Sequence, residues 1–225
     1  MNKGKLFVVA TPIGNLKDIT LRALETLQTV DYILCEDTRV TKKLLNHYQI
    51  SKQTIIYYQH SPESKIKEIA NLLIEDKNLA IVTDAGTPGI SDPGNLLIQN
   101  LTKNTEIKEI IPIPGPCAAI AALSISGFPT DKFYFAGFPP HKNKRQKFFK
   151  ELAARKETII FYESTHRIIK TLSELQMFAQ QREIMVAREL TKQFETIYRG
   201  TVEQILEKIK KGPSKGEFVM VIKSI

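Results

Sequence analysis

The feature of this sequence that most limits its fold is a repeated alternation of short apolar segments with longer amphipathic ones between residues 5 and 113. The apolar segments have the length of β-strands, and the segments between them place apolar residues at helical spacing. Strands that alternate with helices usually pair in parallel through right-handed crossovers. We therefore predict a largely parallel α/β sheet with strands at Lys5–Ala10, Asp31–Cys35, Thr54–Tyr58, Leu79–Val82 and Lys108–Ile113.

Four of these strands run directly into unusual loops. The longest occupies Asp84–Gly94 and reads DAGTPGISDPG, whereas a connection from a strand to a helix usually takes about two to six residues. Its glycines allow a ligand to approach the backbone closely, and its prolines stiffen it. The other loops contain TPIGN at Thr11–Asn15, EDTR at Glu36–Arg39 and PGPCAA at Pro114–Ala119. Because the carboxyl ends of parallel strands share one edge of a sheet, we predict that the four loops meet in one ligand-binding cleft.

The second half of the chain differs from the first in pattern and in charge. More strands per residue and shorter connections predict a mixed α/β domain, so we divide the chain into a domain of residues 1–115 and a basic domain of residues 116–225. The first contains 13 Lys and Arg against 13 Asp and Glu, and the second contains 19 against 11, which accounts for the whole net charge of +8. A basic domain predicts a polyanionic partner, with nucleic acid the first candidate. A merely solubilising surface is the alternative.

The basic charge is densest in the segment His141–Lys156, which reads HKNKRQKFFKELAARK and has seven Lys and Arg against one Glu. Mobile ammonium groups suit the phosphate oxygens of a nucleic-acid backbone. We expect its two phenylalanines to pack the segment down rather than to stack on bases. The predicted RNA-binding residues are Lys142, Lys144, Arg145 and Lys147.

Several kinds of protein are disfavoured by the sequence. The four histidines and two cysteines have no ligand spacing, so we predict no metal site. The phosphate-binding pattern GxxxxGK[ST] is missing, and so is GxGxxG after the first strand. We expect neither a membrane span nor a signal peptide, because no apolar run is long enough. Both cysteines lie in apolar segments, which argues against a disulfide framework and fits a reducing cytoplasm.

Helix starts are marked by capping residues at three places in the sequence. Asp18 and Ser61 are the predicted N-caps of the first and third helices, because short polar side chains accept hydrogen bonds from the first free backbone N–H groups. Thr201 is followed by Gln204 at the spacing of a capping box.

Seven short motifs follow one another along nearly the whole chain. They are ATPIGNL, EDTR, DAGTPGISDPG and PGPCAA in the first half, and FYESTHR, ARELTK and KGEFV at residues 161–167, 187–192 and 215–219. Together they resemble the tetrapyrrole-methylase superfamily and, within it, the RsmI-type ribosomal RNA methyltransferase branch. The resemblance implies two α/β domains with S-adenosylmethionine in the cleft between them, and a homodimer. It also implies 2′-O-methylation of a cytidine ribose in the decoding region of 16S ribosomal RNA, either free or in the assembling small subunit.

Two other functions remain open at this point. Tetrapyrrole methylases of the same superfamily act on porphyrin-like rings, but they usually have Gly-Asp-Pro where this chain has Gly86-Thr87-Pro88. A small ring would also have little need of so many spread positive charges. The other alternative is a non-catalytic RNA-binding module whose cleft is vestigial.

The resemblance and the loops together identify residues expected to bind S-adenosylmethionine. Backbone groups of the Gly/Pro loops would hold the cofactor, and the RsmI-type pattern commonly has Ser where this chain has Cys117, so a backbone contact is expected there. Positioning of the methyl donor against the nucleophile would supply most of the rate gain. The predicted cofactor-binding residues are Pro12, Asp84, Gly86, Thr87, Pro88, Ser91, Cys117, Ala118, Tyr162 and Arg188.

A ribose hydroxyl is a weak nucleophile until a base accepts its proton. Five residues at predicted strand ends could serve, and each could equally be a helix cap or an ion-pair partner: Glu36, Asp37, Glu163, His166 and Glu189. We place Glu36 and Asp37 beside the reacting oxygen and include Arg39 as the third predicted catalytic residue.

Overall fold

In the part of the chain that the structure describes, two five-stranded β-sheets form the framework, one in each half. The structure is a computed structural model that describes residues 3–104, 106, 107, 109–179 and 181–225. Contacts within the chain divide it into two units, Met1–Cys117 and Ala118–Ile225.

The first sheet is parallel, as the alternation of strands and helices predicts. Its strands are β1 (Leu6–Val9), β2 (Tyr32–Cys35), β3 (Gln53–Ile56), β4 (Leu79–Ile81) and β5 (Ile110–Ile113). They lie in the order β3-β2-β4-β1-β5, and the paired strands run parallel. Lys108, the predicted first residue of β5, lies outside the described residues. With β1 and β4 adjacent near the middle of the sheet, their loops start side by side.

Helices cover both faces of this sheet. They are α1 (Leu21–Thr29), α2 (Thr38–His47), α3 (Glu63–Ile74) and α4 (Asn95–Leu101). One apolar cluster joins α1 and α2 to one face and includes buried Val9 and Leu27. The other joins α3 and α4 to the opposite face and includes buried Leu6 and Ile69. Burial on both faces leaves the ends of the strands as the place where polar residues and backbone can meet a ligand.

The second sheet is mixed, as predicted for the second half. Its strands are β6 (Phe133–Phe135), β7 (Thr158–Ser164), β8 (Glu183–Arg188), β9 (Thr196–Thr201) and β10 (Glu217–Ile222), in the order β6-β7-β10-β8-β9. β6 pairs with β7 in parallel, and the other pairs are antiparallel.

The helices of the second unit are α5 (Ala118–Ser124), α6 (Arg145–Ala153), α7 (Ile168–Ala179) and α8 (Val202–Lys211). The last three pack on the sheet around a core that includes buried Phe149, Leu172 and Ile205. Every helix in the described part of the chain is too short or too polar to cross a bilayer.

The predicted caps are correct at one helix and wrong at two. Thr201 and Gln204 form the capping box at the start of α8. Asp18 instead ends a short 3₁₀ helix, and Thr20 caps α1 by accepting from the backbone N–H of Ala23 at 3.1 Å. The Ser61 hydroxyl accepts from the backbone N–H of Tyr58 at 2.9 Å, so α3 begins without a side-chain cap.

Candidate active site

The loops after β1 and β4 are joined by backbone hydrogen bonds. Thr11 N–H donates to the Gly86 carbonyl at 2.9 Å, and Gly86 N–H donates back to the Thr11 carbonyl at 3.1 Å. The buried Thr11 hydroxyl also donates to the Thr83 carbonyl at 2.9 Å. Two loops that are about 70 residues apart in sequence therefore form one structure at the carboxyl edge of the sheet, as the parallel topology predicts.

The glycine loop needs backbone conformations that favour glycine. Gly86 has φ +91° where it pairs with Thr11, and Gly89 has φ +80°. A Cβ at Gly89 would lie 2.8 Å from Asn95 Oδ1. The Asn95 amide donates to the Gly89 carbonyl at 3.0 Å, and Gly89 N–H donates to the Pro93 carbonyl at 3.1 Å. The loop is thus fixed by its own hydrogen bonds, which makes it a preformed backbone surface.

The loop after β5 is connected to the same edge. The Thr87 hydroxyl donates to the Pro116 carbonyl at 3.1 Å. A Cβ at Gly115 would lie 3.0 Å from the Cβ of Ala10 at the end of β1, so Gly115 permits a close approach. Three of the four predicted loops therefore contact one another within the first unit.

Glu36 brings the fourth loop, after β2, into this group. The Thr83 hydroxyl donates to Glu36 Oε1 at 2.8 Å. Burial raises the pKa of the Glu36 carboxyl, the hydrogen bond from Thr83 opposes this, and the nearby charge of Asp84 raises it further. Once ionised, a carboxylate with a raised pKa is a better proton acceptor than an ordinary glutamate.

Asp37 has a different environment from Glu36. Its two carboxylate oxygens accept from Arg39 Nε at 3.1 and 3.2 Å and from an Arg39 terminal nitrogen at 2.7 Å. Asp37 also caps α2 by accepting from the Arg39 backbone N–H at 2.8 Å. These hydrogen bonds, the side-chain one foremost, lower the pKa of Asp37 to about 2. A carboxylate with so low a pKa is a poor base, so this environment favours a supporting role for Asp37.

Asp84 interacts electrostatically with both Glu36 and Asp37. Partial removal from water raises the pKa of Asp84, and the Asp37 backbone N–H, which donates to its carboxylate, opposes that rise. The negative charge of the Asp37 side chain raises the pKa of Asp84 further, and the charge of Arg39 lowers it. Electrostatic interactions therefore link the carboxylates of Glu36, Asp37 and Asp84 at this edge of the sheet, and Arg39 pairs with the charge of Asp37.

The predicted cofactor-binding residues are divided between the two units. Seven lie in the first unit around the joined loops: Pro12, Asp84, Gly86, Thr87, Pro88, Ser91 and Cys117. Pro12, Gly86 and Pro88 are buried, and Ser91 has φ +64°. The structure therefore brings the predicted loops together, and their contact with a cofactor stays a prediction.

The other three predicted cofactor residues lie in the second unit. The Tyr162 hydroxyl accepts from the backbone N–H of Ala119, next to Ala118, at 3.2 Å. Arg188 is mostly buried and donates to the Lys215 carbonyl at 2.6 Å and the Phe194 carbonyl at 3.0 Å. These hydrogen bonds give Tyr162 and Arg188 structural roles within the second unit, and their contact with a cofactor stays a prediction.

Two of the alternative bases in the second unit have structural partners. Glu163 is buried, forms an ion pair with Arg167 Nε at 2.8 Å and accepts from the Thr171 hydroxyl at 2.6 Å. Glu189 pairs with Lys192 at 3.1 Å and accepts from the Glu217 backbone N–H at 2.8 Å. Burial would raise the pKa of Glu189, but these hydrogen bonds outweigh it and lower the pKa. We therefore discount Glu163 and Glu189 as general bases. His166, the third alternative base in the second unit, is exposed.

The basic segment contains one error of prediction. Lys142, Lys144 and Lys147 are exposed, as an RNA-binding role requires. Arg145 is only 3% exposed and cannot meet a phosphate backbone, so its predicted role in RNA binding is wrong. Its guanidinium donates to Glu174 at 2.8 Å, to the Thr171 hydroxyl at 2.7 Å and to the Pro140 carbonyl at 2.9 Å. Arg145 anchors the segment to α7 instead.

Sequence reasoning missed Thr11 and Thr83 because a threonine at the end of a strand is common and has no distinctive spacing. Their position directly after strands that are adjacent in the sheet was the signal that could have identified them. Among the residues that the structure describes, there is no group of three or more His, Cys, Asp or Glu arranged to hold a metal ion.

Comparison with known proteins gives a family and a fold. The family model described as Tetrapyrrole (Corrin/Porphyrin) Methylases matches residues 5–206. A protein of Synechocystis sp. named Ribosomal RNA small subunit methyltransferase I is 49% identical over 221 residues, which cover 97% of this chain and 78% of that protein. A Thermotoga maritima protein of the same name is 43% identical over 219 residues, which cover 97% of this chain and 98% of that protein.

Two solved structures resemble this one at low sequence identity. A cobalt precorrin-4 methyltransferase of cobalamin biosynthesis has a TM-score of 0.72 and 20% identity, covering 97% of this chain and 94% of that one. A uroporphyrin-III C-methyltransferase from Thermus thermophilus has a TM-score of 0.65 and 18% identity, and the match covers 98% of this chain and 94% of that one. At these identities the likeness confirms the predicted fold alone.

Proposed function

The chain belongs to the tetrapyrrole methylase family. From its relatives and its motifs we propose that it transfers the methyl group of S-adenosylmethionine to the ribose 2′-oxygen of a cytidine in the decoding region of 16S ribosomal RNA. The observation that carries the proposal is identity of 43–49% over nearly the whole chain to relatives named for small-subunit ribosomal RNA methylation. The assignment of the reacting nucleotide as a cytidine rests on the motif resemblance.

The residues of the first unit fit this cofactor. S-adenosylmethionine carries a positive sulfonium and a ribose with two hydroxyl groups, and the carboxylates of Glu36 and Asp84 supply negative charge and hydrogen-bond acceptors. The fixed backbone around Gly86 allows the close approach that an adenosine or methionine moiety needs. When bound, the cofactor supplies an electrophilic methyl group.

The chemistry asked of the protein is positioning and acceptance of one proton. The attacking oxygen must lie in line with the bond from sulfur to the methyl carbon, so a rigid loop surface lowers the barrier by fixing the reactants. We assign Glu36 as the general base that accepts the 2′-hydroxyl proton. Asp37 and Arg39 support it by holding the start of α2 and by fixing Asp84 through the Asp37 backbone.

We propose that the exposed lysines of the basic segment bind RNA phosphates. Lys142, Lys144 and Lys147 lie at or before the start of α6 and are exposed. The free RNA and the assembling subunit are both possible substrates, and a homodimer in the cytoplasm remains the predicted state.

The test of this function compares Glu36→Gln with Glu25→Gln, an exposed glutamate on α1 that serves as a matched control. Transfer of labelled methyl from S-adenosylmethionine to small subunits should fall by about 10² to 10⁴-fold in Glu36→Gln, the usual size of a general-base contribution. Calorimetry should give unchanged cofactor affinity for both variants. Full activity in Glu36→Gln would reject the base role, and cofactor binding without any methyl transfer in the parent protein would favour the non-catalytic alternative.

A tetrapyrrole substrate has less support. The fold neighbours act on such rings, but the chain has Thr87 in the glycine loop, and Thr87 uses its hydroxyl to bind the Pro116 carbonyl. Incubation with uroporphyrinogen III and labelled cofactor tests this substrate directly, and we expect no labelled ring.

A further inference from the structure

Thr83 and Glu36 occupy neighbouring positions at the carboxyl edge of the first sheet. β2 and β4 are paired in parallel with Leu34 opposite Ile81, and Val82 N–H donates to the Leu34 carbonyl at 2.9 Å. Two residues beyond each of those partners come Glu36 and Thr83. Their side chains are joined by the 2.8 Å hydrogen bond in which the Thr83 hydroxyl is the donor.

We propose that Thr83 is a positioning residue for methyl transfer, whose hydroxyl holds the Glu36 carboxylate in its ionised form and in the orientation that accepts the substrate proton. This inference rests on the proposed function, in which Glu36 is the general base. It adds a residue outside the motifs that identified the loops.

The hydroxyl of Thr83 is rigidly placed. Thr83 is 3% exposed, and a β-branched side chain has few χ1 rotamers available. Its carbonyl accepts from the Thr11 hydroxyl at 2.9 Å, and Thr11 is itself fixed by the reciprocal backbone bonds to Gly86. Because the backbone and the side chain of Thr83 are both held in place, its hydroxyl oxygen gives Glu36 Oε1 a fixed partner.

Several charged groups act on this edge besides Thr83. Asp84 follows β4, and its negative charge raises the pKa of Glu36. At the start of α2, the negative charge of Asp37 raises the pKa of Asp84 and the positive charge of Arg39 lowers it. Thr83 is the group that favours the ionised form of Glu36 by direct hydrogen bonding, so its removal should make Glu36 harder to ionise.

The sign of the pH effect follows from the role of a base. Glu36 must be ionised to accept a proton, so activity falls as the pH drops through its pKa. Loss of the hydrogen bond raises that pKa, and the acid limb of the activity profile moves to higher pH. One hydrogen bond to a charged group corresponds to a shift on the order of one pH unit.

The experiment compares Thr83→Val, which has nearly the shape of threonine without the hydroxyl, with Thr83→Ser, which keeps the hydroxyl. Methyl transfer to small subunits is measured from about pH 5 to 9 at saturating S-adenosylmethionine, and KM for the cofactor is measured by varying its concentration at a pH above the acid limb. We expect Thr83→Val to lower kcat roughly 10-fold or more even where Glu36 is ionised, because the carboxylate loses its orienting partner. The variant should leave KM for the cofactor within about twofold and move the acid limb upward by on the order of one unit. Thr83→Ser should restore the parent profile.

A double variant separates the loss of the hydrogen bond to Glu36 from a general packing defect caused by Thr83→Val. In Glu36→Asp the shortened side chain no longer reaches the hydroxyl, so adding Thr83→Val should cost little further activity, whereas a general packing defect would cost the same in both backgrounds. If Thr83→Val does not fold, Thr83→Ala replaces it in the same comparison.

The possible results separate this inference from the proposed function. An unmoved acid limb in Thr83→Val, with Glu36→Gln inactive, would overturn the role of Thr83 and leave the base assignment standing. An active Glu36→Gln would overturn the base assignment and this inference with it. Additive losses in the double variant would also reject a role exerted through Glu36.

Discussion

Gly86 shows at the residue scale how one backbone conformation can serve a site. It pairs with Thr11 at φ +91°, while a Cβ there would meet Ile13 at an ordinary 3.4 Å, so the demand for glycine is conformational rather than steric. Gly127 in the second unit has φ +74° and open space around its Cβ position, which makes it a matched control.

We predict that Gly86→Ala and Gly127→Ala each lower the free energy of unfolding by about 1 to 2 kcal/mol, the cost of left-handed backbone in a residue with a Cβ. Only Gly86→Ala should also weaken S-adenosylmethionine binding, by about 10-fold or more if the loop backbone is the binding surface. Urea unfolding and calorimetry measure the two effects. Equal cofactor affinity in both variants would contradict the assignment of the loop.

Asp37 allows a pH prediction with a definite sign. Its folded pKa is about 2, below the ordinary value of 3.8, and the hydrogen bonds from Arg39 are the main cause. Its contribution to stability is therefore fully present above pH 3.8 and is lost as the pH falls toward about 2. In Arg39→Ala the pKa of Asp37 should rise toward 3.8, which an NMR titration of the carboxyl carbon would record. An unchanged titration midpoint would show that Arg39 is not its partner in solution.

At the scale of elements, α6 depends on a buried ionic network rather than on a side-chain cap. Lys144 precedes the helix at φ +66° without a capping bond. Arg145 instead ties the first turn to Glu174 and Thr171 on α7, and Thr171 donates to buried Glu163 at 2.6 Å. Removal of one member of such a network leaves the others buried without a partner.

We predict that Arg145→Met lowers the free energy of unfolding by about 3 to 5 kcal/mol, the usual effect of breaking a buried ion pair. Lys147→Met, two positions along the same helix with a side chain 75% exposed, should change it by less than about 0.5 kcal/mol. Chemical denaturation of both variants measures the difference. Similar stability of the two would contradict the structural role of Arg145.

The sequence predicted most elements because their signals are local. The alternating pattern identified every strand of the parallel sheet, and the Thr201–Gln204 spacing identified the start of α8. Arg145 could not be separated from its basic neighbours, because burial depends on Glu174 and Thr171, which come from another helix. Ser61 failed as a cap for a local reason, because its hydroxyl accepts from the backbone N–H of nearby Tyr58 instead.

In the candidate site, the sequence predicted the positions of the loops but not the environments of the individual carboxylates. Glycine and proline, which have distinct backbone requirements, identified the loops, and parallel topology brought them to one edge. The different environments of Glu36 and Asp37 were not predictable, because adjacent carboxylates look alike in sequence. The bond from Thr83 to Glu36 depends on the pairing of β2 with β4, whereas Asp37 pairs with Arg39 only two residues away, at the start of α2.

At the scale of the whole molecule, the uneven distribution of charge gives a prediction about RNA. Replacement of Lys142, Lys144 and Lys147 by glutamine should weaken RNA binding and reduce the slope of log affinity against log salt by roughly 0.7 to 0.9 for each phosphate that is no longer neutralised. The same change at Lys208, Lys210 and Lys211 on α8 removes equal charge from another exposed place. Filter binding over a range of salt measures both, and equal slopes for the two triple variants would mean that charge alone matters.

The central claim is most directly tested by locating the transferred methyl group. Small ribosomal subunits that lack the modification are incubated with the protein and methyl-labelled S-adenosylmethionine, and the 16S RNA is then mapped by mass spectrometry. The account predicts one labelled 2′-O-methylcytidine in the decoding region, and none with Glu36→Gln. Label on a base, label elsewhere in the RNA, or no label with the parent protein would contradict it.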